Sequence, residues 1–135
     1  MLDPFTKSKY LPEYKLILWR PSGVLDFAKA SMILELARFQ EKILDEPFDR
    51  FIDWSQLTDV HLNFQQVENL AIHRRLDYEG PRVKSAFFAT SPVAYGIARM
   101  FAALMEPSPI DVRTFRQIEQ PGEWLRVPVN VLREE

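Results

Sequence analysis

Residues 87–105 read FFATSPVAYGIARMFAALM, a short apolar strand that turns directly into an almost entirely apolar helix. Ser91 can cap the free amides at the start of this helix, and Pro92 suits its first turn. A strand followed at once by a capped helix is typical of a β-α unit. We therefore expect one β-α unit here, and the rest of the chain shows whether the unit is repeated.

The same strand-then-helix pattern occurs four times along the chain. Predicted strands cover residues 14–19, 48–54, 83–89 and 110–115, and predicted helices follow at residues 26–43, 64–78, 92–106 and 123–125. Asp26 can cap the first helix, and Asn63 with Gln66 makes a capping box for the second. Successive β-α units need crossovers that return across a sheet, so the sequence predicts an α/β fold with a mostly parallel sheet.

Apolar residues at helical spacing predict the buried face of each long helix. In the first helix they are Leu25, Ala28, Met32, Leu36, Phe39 and Ile43, with Glu35, Arg38, Glu41 and Lys42 expected in solvent. In the second they are Phe64, Val67, Leu70, Ala71 and Tyr78. The third helix has a core stripe of Val93, Ile97, Met100, Phe101 and Leu104, and a small-residue face of Ala94, Ala98, Ala102 and Met105. We expect a neighbouring helix or a second subunit to cover that small-residue face, and Gly96 to permit close packing.

Composition excludes several classes of function. The 135-residue chain is long enough for one domain with its own core, and it contains no cysteine, which excludes thiol catalysis, thiolate metal sites and disulfides. The 17 basic and 19 acidic side chains give a net charge of -2 and are mixed along the chain, which argues against nucleic acid as a partner. No apolar run suits a signal peptide or a bilayer span, so we expect a cytoplasmic protein without an integral membrane segment.

Several blocks of the sequence together resemble a known family. They are SGVL, RFIDWSQLTDV, SAFFA, PVAYGIARMFAALME, IDVRTFR and EWL, which span residues 14–125. In order and spacing they resemble the SpoIIAA-like proteins related to STAS (anti-sigma-factor antagonist) domains, also described as STAS/SEC14-like, and their uncharacterised bacterial branch in particular. The resemblance implies four β-α units in a right-handed superhelix. It implies little about activity, because a fold does not determine a function.

One departure from the related anti-sigma-factor antagonists bears on mechanism. In those proteins an Asp-Leu-Ser strand is followed by Asp-Ser-Ser-Gly, whose serine at a helix start accepts phosphate. Residues 53–55 (DWS) match the first element, but residues 61–64 (HLNF) stand where the second is expected. Neither Leu62 nor Asn63 can carry a phosphate at that position. We therefore expect this chain to lack the phosphoserine switch.

The resemblance also divides the chain into segments. We expect an N-terminal extension at residues 1–13, a SpoIIAA-like domain at residues 14–126 and a C-terminal tail at residues 127–135. In the tail Val127, Val129 and Val131 alternate with other residues. This alternation is compatible with an added edge strand or with an arm onto a partner.

Five residues are candidates for contact with a ligand or partner: Asp53, Ser55, Ser91, Tyr95 and Arg99. Asp53 can act as a base or can fix the following loop through backbone amides, and each serine can bind a ligand or serve as a cap. Tyr95 is either a pocket hydroxyl or an aromatic at the rim of the core, and Arg99 is either an anion contact or a solvated charge. The structural alternatives are favoured, because no glycine-rich loop or catalytic motif surrounds these residues.

The remaining polar residues favour no chemistry. His61 and His73 do not form a metal motif, and the run from His73 to Arg75 is expected to be a solvated helix end. The sequence therefore predicts a non-catalytic protein-interaction or regulatory module without a cofactor or metal, whose partner is an unknown protein or a second copy in a homodimer. The alternative, suggested by lipid-binding relatives of this fold, is a small apolar or acidic ligand near the start of the third helix. A third hypothesis is an enzyme that uses Asp53.

Overall fold

The computed structural model describes residues 6–44 and 46–133, which form seven strands and five helices. The strands are β1 (Thr6–Leu11), β2 (Leu16–Pro21), β3 (Gly23–Asp26), β4 (Asp49–Asp53), β5 (Leu57–His61), β6 (Val83–Phe88) and β7 (Ile110–Phe115). The helices are α1 (Phe27–Ile43), α2 (Phe64–Asp77), α3 (Pro92–Leu104), α4 (Glu119–Leu125) and α5 (Val129–Leu132).

A five-stranded sheet with the order β1-β2-β4-β6-β7 forms the centre of the fold. Strands β2, β4, β6 and β7 are parallel, and β1 pairs antiparallel with β2 at one edge. Helices α1, α2 and α3 connect the successive parallel strands. The predicted α/β architecture with a mostly parallel sheet is therefore confirmed, and β7 has the predicted bounds.

Three strands were not predicted from the sequence. β1 carries exposed Lys7 and Lys9, and charged side chains of this kind are common on edge strands. β3 and β5 are short and pair with each other in a separate two-stranded parallel sheet. Each of these strands lacks a long apolar run, so hydrophobic periodicity alone does not indicate it.

The predicted starts of α1, α2 and α3 are confirmed in atomic detail, whereas α4 begins at Glu119, before the predicted start at residue 123, and includes Pro121 and Gly122. The Asp26 carboxylate accepts a hydrogen bond from the Lys29 amide at 2.9 Å, and Ser91 Oγ accepts one from the Ala94 amide at 3.1 Å. Asn63 and Gln66 form the predicted capping box, with reciprocal bonds of 2.9 and 3.0 Å. These side chains satisfy amides that have no partner within the helix.

The two faces of the sheet bury different side chains. Ile17 and Trp19 point towards the layer formed by α1, α2 and α3, whereas Leu16 and Leu18 point towards α4 and α5. This follows from the alternation of side chains along a strand. The chain therefore has a core on each side of the sheet, and a parallel sheet buried on both faces explains the continuous apolar run in β2.

The predicted buried face of α1 is wrong. Ala30 and Ala37 are buried, and Ile33 and Leu34 pack on the same core. Of the predicted stripe, Leu25 in β3 is buried as expected, whereas the residues within α1 face away from the sheet. The exposed members of that stripe include Met32, Phe39 and Ile43. α1 is apolar on two faces, and spacing alone does not say which of them meets the sheet.

Helices α2 and α3 match their predicted faces in part, since Val67, Leu70 and Ala71 are buried and Ile97 and Phe101 pack on the core as predicted. In α2 the buried residues are Val67, Leu70, Ala71 and Arg74, and Phe64 is 52% exposed. In α3 the small residues Ala94 and Ala98 pack on the sheet, so a second subunit does not cover that face, and Val93 is 57% exposed. Gly96 is exposed with no atom within 4 Å of an added Cβ, so its predicted role in close packing is wrong.

The end of the chain folds back onto the sheet and does not form an edge strand. α5 begins after Pro128, and Leu132 is fully buried beside Leu16, Leu18 and Phe51. The alternating valines reflect a turn and a short helix, because one side of this segment packs while the other remains in solvent. The C-terminal tail therefore belongs to the core between the sheet and helices α4 and α5.

Candidate functional site

A cavity of about 90 Å³ lies between the main sheet and the layer of α1, α2 and α3. Its walls are almost entirely apolar, and the polar or partly polar exceptions include Trp19, Arg50, Arg74 and Ser85. The apolar part of the wall includes Ala30, Leu34, Ala37, Ile52, Leu70, Phe87, Ile97 and Phe101. An apolar space with a few polar groups at its wall is the usual form of a small-molecule site.

Two buried arginines lie at the wall of this cavity, and both bind one glutamate outside it. Arg50, near the start of β4, is 3% exposed, and Arg74, near the end of α2, is 5% exposed. Arg50 Nη2 donates to Glu41 Oε2 at 2.6 Å, and Arg74 Nη2 donates to the same oxygen. Glu41 is near the end of α1, so the cluster joins α1 and α2 to the sheet. The prediction that the Glu41 side chain lies in solvent is therefore wrong.

Aromatic rings and backbone complete the surroundings of the two arginines. The Arg50 guanidinium lies 4.4 Å from the centre of the Phe48 ring and 5.4 Å from that of Tyr78, and Arg74 lies 5.7 Å from Tyr78. Arg50 Nη1 also donates to the Phe48 carbonyl oxygen. These contacts partly replace the water that the cations lose on burial.

Burial shifts the pKa values of the two arginines and of Tyr78. It lowers the pKa of Arg50 to about 10, against the attraction of Tyr78 and Asp49, and it lowers the pKa of Arg74 to about 10, against Asp77 and Tyr78. Burial also raises the pKa of Tyr78, which the two nearby arginines oppose. Both arginines therefore remain charged at neutral pH, and an additional anion beside them would be attracted.

Three residues that line the cavity each carry a buried N–H donor without a hydrogen-bond partner among the described residues. The donors are Trp19 Nε1, Arg50 Nε and Arg74 Nη1. Buried polar atoms without a partner are rare, because each costs on the order of 1–3 kcal/mol. The lining residues of this one cavity therefore carry three donors that lack an acceptor.

Asp53 lies on the opposite face of the sheet from this cavity. Its Oδ2 accepts a bond of 2.6 Å from Arg20 Nη1, and its Oδ1 accepts one of 2.9 Å from the Ser55 amide. Arg20 Nη2 also donates to the carbonyl oxygen of Leu132 in α5 at 2.7 Å. Asp53 therefore fixes the loop after β4 through a backbone amide, as the sequence favoured, and it holds a buried arginine.

The other four candidates are separate from the cavity, whose wall includes none of the five. Ser55 and Ser91 are exposed, and Ser91 caps α3. Tyr95 and Arg99 lie one turn apart on α3, where the guanidinium is 6.0 Å from the ring centre. Arg116 lies 5.2 Å from the same ring on another side. The structure brings Tyr95 and Arg99 together but does not bring them to the cavity or to Asp53.

The cavity arginines were missed because a charged residue usually indicates solvent. The sequence did contain a signal for Arg74, which lies three or four residues from Leu70 and Ala71 on the buried stripe of α2. It also contained one for Arg50, which stands between Phe48 and Phe51 in an apolar strand. The predicted solvated helix end is therefore wrong for Arg74, and Arg75 donates to the Leu104 carbonyl at 2.6 Å.

Residues 6–44 and 46–133 contain neither a metal-binding cluster nor a membrane-spanning helix. No group of three or more side chains suited to a metal ion occurs there. His61 pairs with Asp59 at 2.8 Å, and His73 bonds to the Asn69 carbonyl oxygen. Within the same residues no helix has both the length and the apolar content to cross a bilayer.

Comparison with known proteins identifies the fold. No family model and no curated protein sequence matches the chain. A solved structure does match it, that of an uncharacterised DUF3478 protein from Shewanella loihica PV-4 with a SpoIIAA-like fold. The match has a TM-score of 0.55 and 12% identity, and it covers 89% of this chain and 91% of the other. The chain therefore has a SpoIIAA-like fold, as its sequence motifs predicted.

Proposed function

We propose that the protein is a non-catalytic binding module that takes a small apolar molecule with an acidic group into the cavity under α1, α2 and α3. The observation that carries this proposal is the set of three unpartnered donors, Trp19 Nε1, Arg50 Nε and Arg74 Nη1, on residues that line an apolar space. An acidic group offers acceptors to these donors, while a hydrocarbon group fits the rest of the wall.

The chemistry of the donors favours a carboxylate over a neutral acceptor. A guanidinium binds carboxylates through paired hydrogen bonds, and such bonds are stronger where water is excluded. Glu41 already supplies one carboxylate to both arginines, so a second anion is held by donors that remain free after that pairing. This ligand position in the cavity differs from the position predicted from the sequence, which was near Ser91.

The size of the cavity restricts the ligand. Its volume of about 90 Å³ is smaller than that of the engineered cavity of about 150 Å³ that holds benzene. An alkyl group of about three or four carbons is therefore the largest group that fits without movement of the helices. Arg50 also borders an outer cleft of about 370 Å³, lined in part by Glu41 and Tyr78. We propose that the ligand enters from this cleft and that the remaining atoms of a six-carbon ligand stay in it.

The experiment is a calorimetric titration with hexanoate and with 1-hexanol, which differ in the charged group. Wild type is expected to bind hexanoate more tightly than hexanol. Arg50→Met and Arg74→Met should each weaken hexanoate binding about 10-fold to 100-fold with little change for hexanol, since each loses charge-assisted hydrogen bonds. Ala37→Leu fills the cavity and should weaken both ligands.

Arg99→Met is the matched control, because it removes an exposed arginine that does not line the cavity. It should leave both affinities unchanged. Thermal unfolding of each variant verifies that it is folded before titration. Equal affinity of wild type for hexanoate and hexanol, or no binding of either at about 10 mM, contradicts the proposal.

The absence of a catalytic role is part of the same proposal. Both carboxylate oxygens of Asp53 accept hydrogen bonds from Arg20 or Ser55, so neither is placed as a free base. Asn63 caps α2 where a phosphorylated serine stands in the related antagonists, which supports the absence of that switch. These observations support a binding module over the enzyme hypothesis.

A second candidate function, protein interaction with a regulatory purpose, is favoured by a different observation. α1 presents an apolar stripe to solvent although its other face is already buried. Large apolar patches on soluble proteins commonly mark interaction sites.

A further inference from the structure

Five residues form the outer stripe of α1, a surface of this chain that is independent of the cavity: Ala28, Met32, Leu36, Phe39 and Ile43. Phe39 is 59% exposed and Ile43 58%, and Met32 is also exposed. The opposite face of α1 packs on the sheet through Ala30, Ile33, Leu34 and Ala37. A helix with apolar residues on both faces is normally buried on both.

We propose that the outer stripe binds the outer stripe of a second copy of this chain, with the two α1 helices antiparallel about a two-fold axis. The residues alternate at spacings of three and four between Met32 and Ile43, as in a helix that packs against another helix. This proposal names the partner for the interaction role above, and it does not depend on the ligand.

The spacing of the stripe is self-complementary when the helices run in opposite directions. With the axis between positions 37 and 38, Met32 is level with Ile43 of the second copy, and Leu36 is level with Phe39. The symmetry repeats each of these contacts, so four apolar layers form in one interface. Two-fold contacts of this kind require that the same patch match itself, and the order of these residues meets that condition.

Charges beside the stripe select the antiparallel direction. Glu35 and Lys42 are exposed on the same flank of α1, seven residues apart, and neither forms an ion pair within the described part of the chain. In the antiparallel arrangement, Glu35 of each copy lies close to Lys42 of the other. Their positions differ along the helix axis by about two residues, which is about 3 Å. In a parallel arrangement the same two groups are about 10 Å apart in level. Two symmetric ion pairs therefore form only when the helices are antiparallel.

Helix α2, which lies beside α1, also exposes apolar side chains. The Glu41–Arg74 pair joins α2 to α1, and Ile72 and Leu76 of α2 are exposed.

Sedimentation equilibrium of the full chain over a range of concentrations tests the proposal. A reversible dimer of twice the 15.9 kDa chain mass is expected. Phe39→Glu places two charges, one from each copy, in the centre of the interface. It should weaken the dimer at least about 100-fold. Val93→Glu is the matched control on α3, similarly exposed, and should leave the dimer intact.

Charge reversal tests the direction of the helices. Glu35→Lys and Lys42→Glu should each weaken the dimer about 3-fold to 10-fold, and the double variant should restore most of the affinity, because the exchanged charges again face each other. A double variant that is weaker than both single variants overturns the antiparallel arrangement.

Two further results contradict the proposal as a whole. One is a wild-type chain that remains monomeric at about 1 mM. The other is a chain that is monomeric and co-sediments with phosphatidylcholine vesicles, with binding lost in Phe39→Glu, which identifies the stripe as a membrane surface. Because the hexanoate titration reads the cavity and not this surface, a failure of either proposal leaves the other intact.

Discussion

At the scale of single residues, the chain buries several charged side chains, although charged residues are usually found in solvent. Arg20, Arg50, Arg74 and Asp53 are all buried, and each has at least one charged partner. Partners that are 33 residues apart, as Arg20 and Asp53 are, leave no local pattern in the sequence. Apolar periodicity thus predicted the elements well, but it did not predict which charges lie inside them.

The Arg20–Asp53 pair gives a prediction on stability. Asp53→Asn keeps the shape of the side chain but leaves Arg20 buried without its counter-charge, which should lower the free energy of unfolding by about 3–5 kcal/mol. The double variant Arg20→Met/Asp53→Leu should recover most of this loss, because it removes both charges. Urea unfolding measures each value.

An exposed ion pair provides the control. Lys15 and Glu46 are 3.3 Å apart with both side chains largely in solvent. Glu46→Gln should therefore change the free energy of unfolding by less than about 0.5 kcal/mol. If Asp53→Asn is as mild as Glu46→Gln, the buried pair does not contribute as its geometry indicates.

At the scale of elements, the sequence located helices more reliably than it oriented them. Capping residues such as Asn63 and Ser91 act locally, and their roles are confirmed. The inward face of α1 depends on the sheet beneath it, and a helix with two apolar stripes satisfies the periodicity in either orientation. The small-residue face of α3 was likewise expected to meet a neighbouring helix or a second subunit, whereas its alanines permit close approach to the sheet.

Two glycines allow backbone effects to be separated from packing. Neither Gly96 in α3 nor Gly23 in β3 has an atom within 4 Å of an added Cβ, but Gly23 has a φ of +78°. Gly96→Ala should raise the free energy of unfolding by about 0.5–1 kcal/mol, because alanine loses less conformational entropy in a helix. Gly23→Ala should lower it by about 1–2 kcal/mol, because an L side chain is strained at that φ.

Urea unfolding of the two variants under one set of conditions tests this pair. Opposite signs are expected. A loss of stability in Gly96→Ala instead shows that the exposed side of α3 has a contact at Gly96 that the isolated chain does not reveal.

At the scale of the whole molecule, the C-terminal segment completes a core that the sequence did not assign to it. Leu132 is fully buried against the face of the sheet opposite to the cavity, and its carbonyl oxygen accepts from Arg20. The alternating valines favoured a strand or a free arm, since nothing nearby in sequence indicates the distant residues that Leu132 covers. Its place is set by tertiary contacts alone.

Leu132→Ala should therefore lower the free energy of unfolding by about 2–5 kcal/mol, because it leaves a cavity in that core. Val93→Ala, in a residue that is mostly exposed, should change it by less than about 0.5 kcal/mol. Chemical denaturation of both variants supplies the comparison. Similar values for the two would mean that the end of the chain is not part of the cooperative unit.

The order of the strands has a consequence for synthesis of the chain on the ribosome. The parallel strands of the five-stranded sheet follow each other in the order β2, β4, β6 and β7. Each is added beside the previous one, so no later strand has to enter between two earlier ones. The side of the sheet under α1, α2 and α3 can thus assemble unit by unit as the chain emerges. The other side waits for Leu132, which lies 112 residues after Arg20. Until Leu132 has been synthesised, the surface formed by Leu16, Leu18 and Phe51 is not fully covered in a nascent chain, so this side of the sheet is open to chaperones for longer than the other.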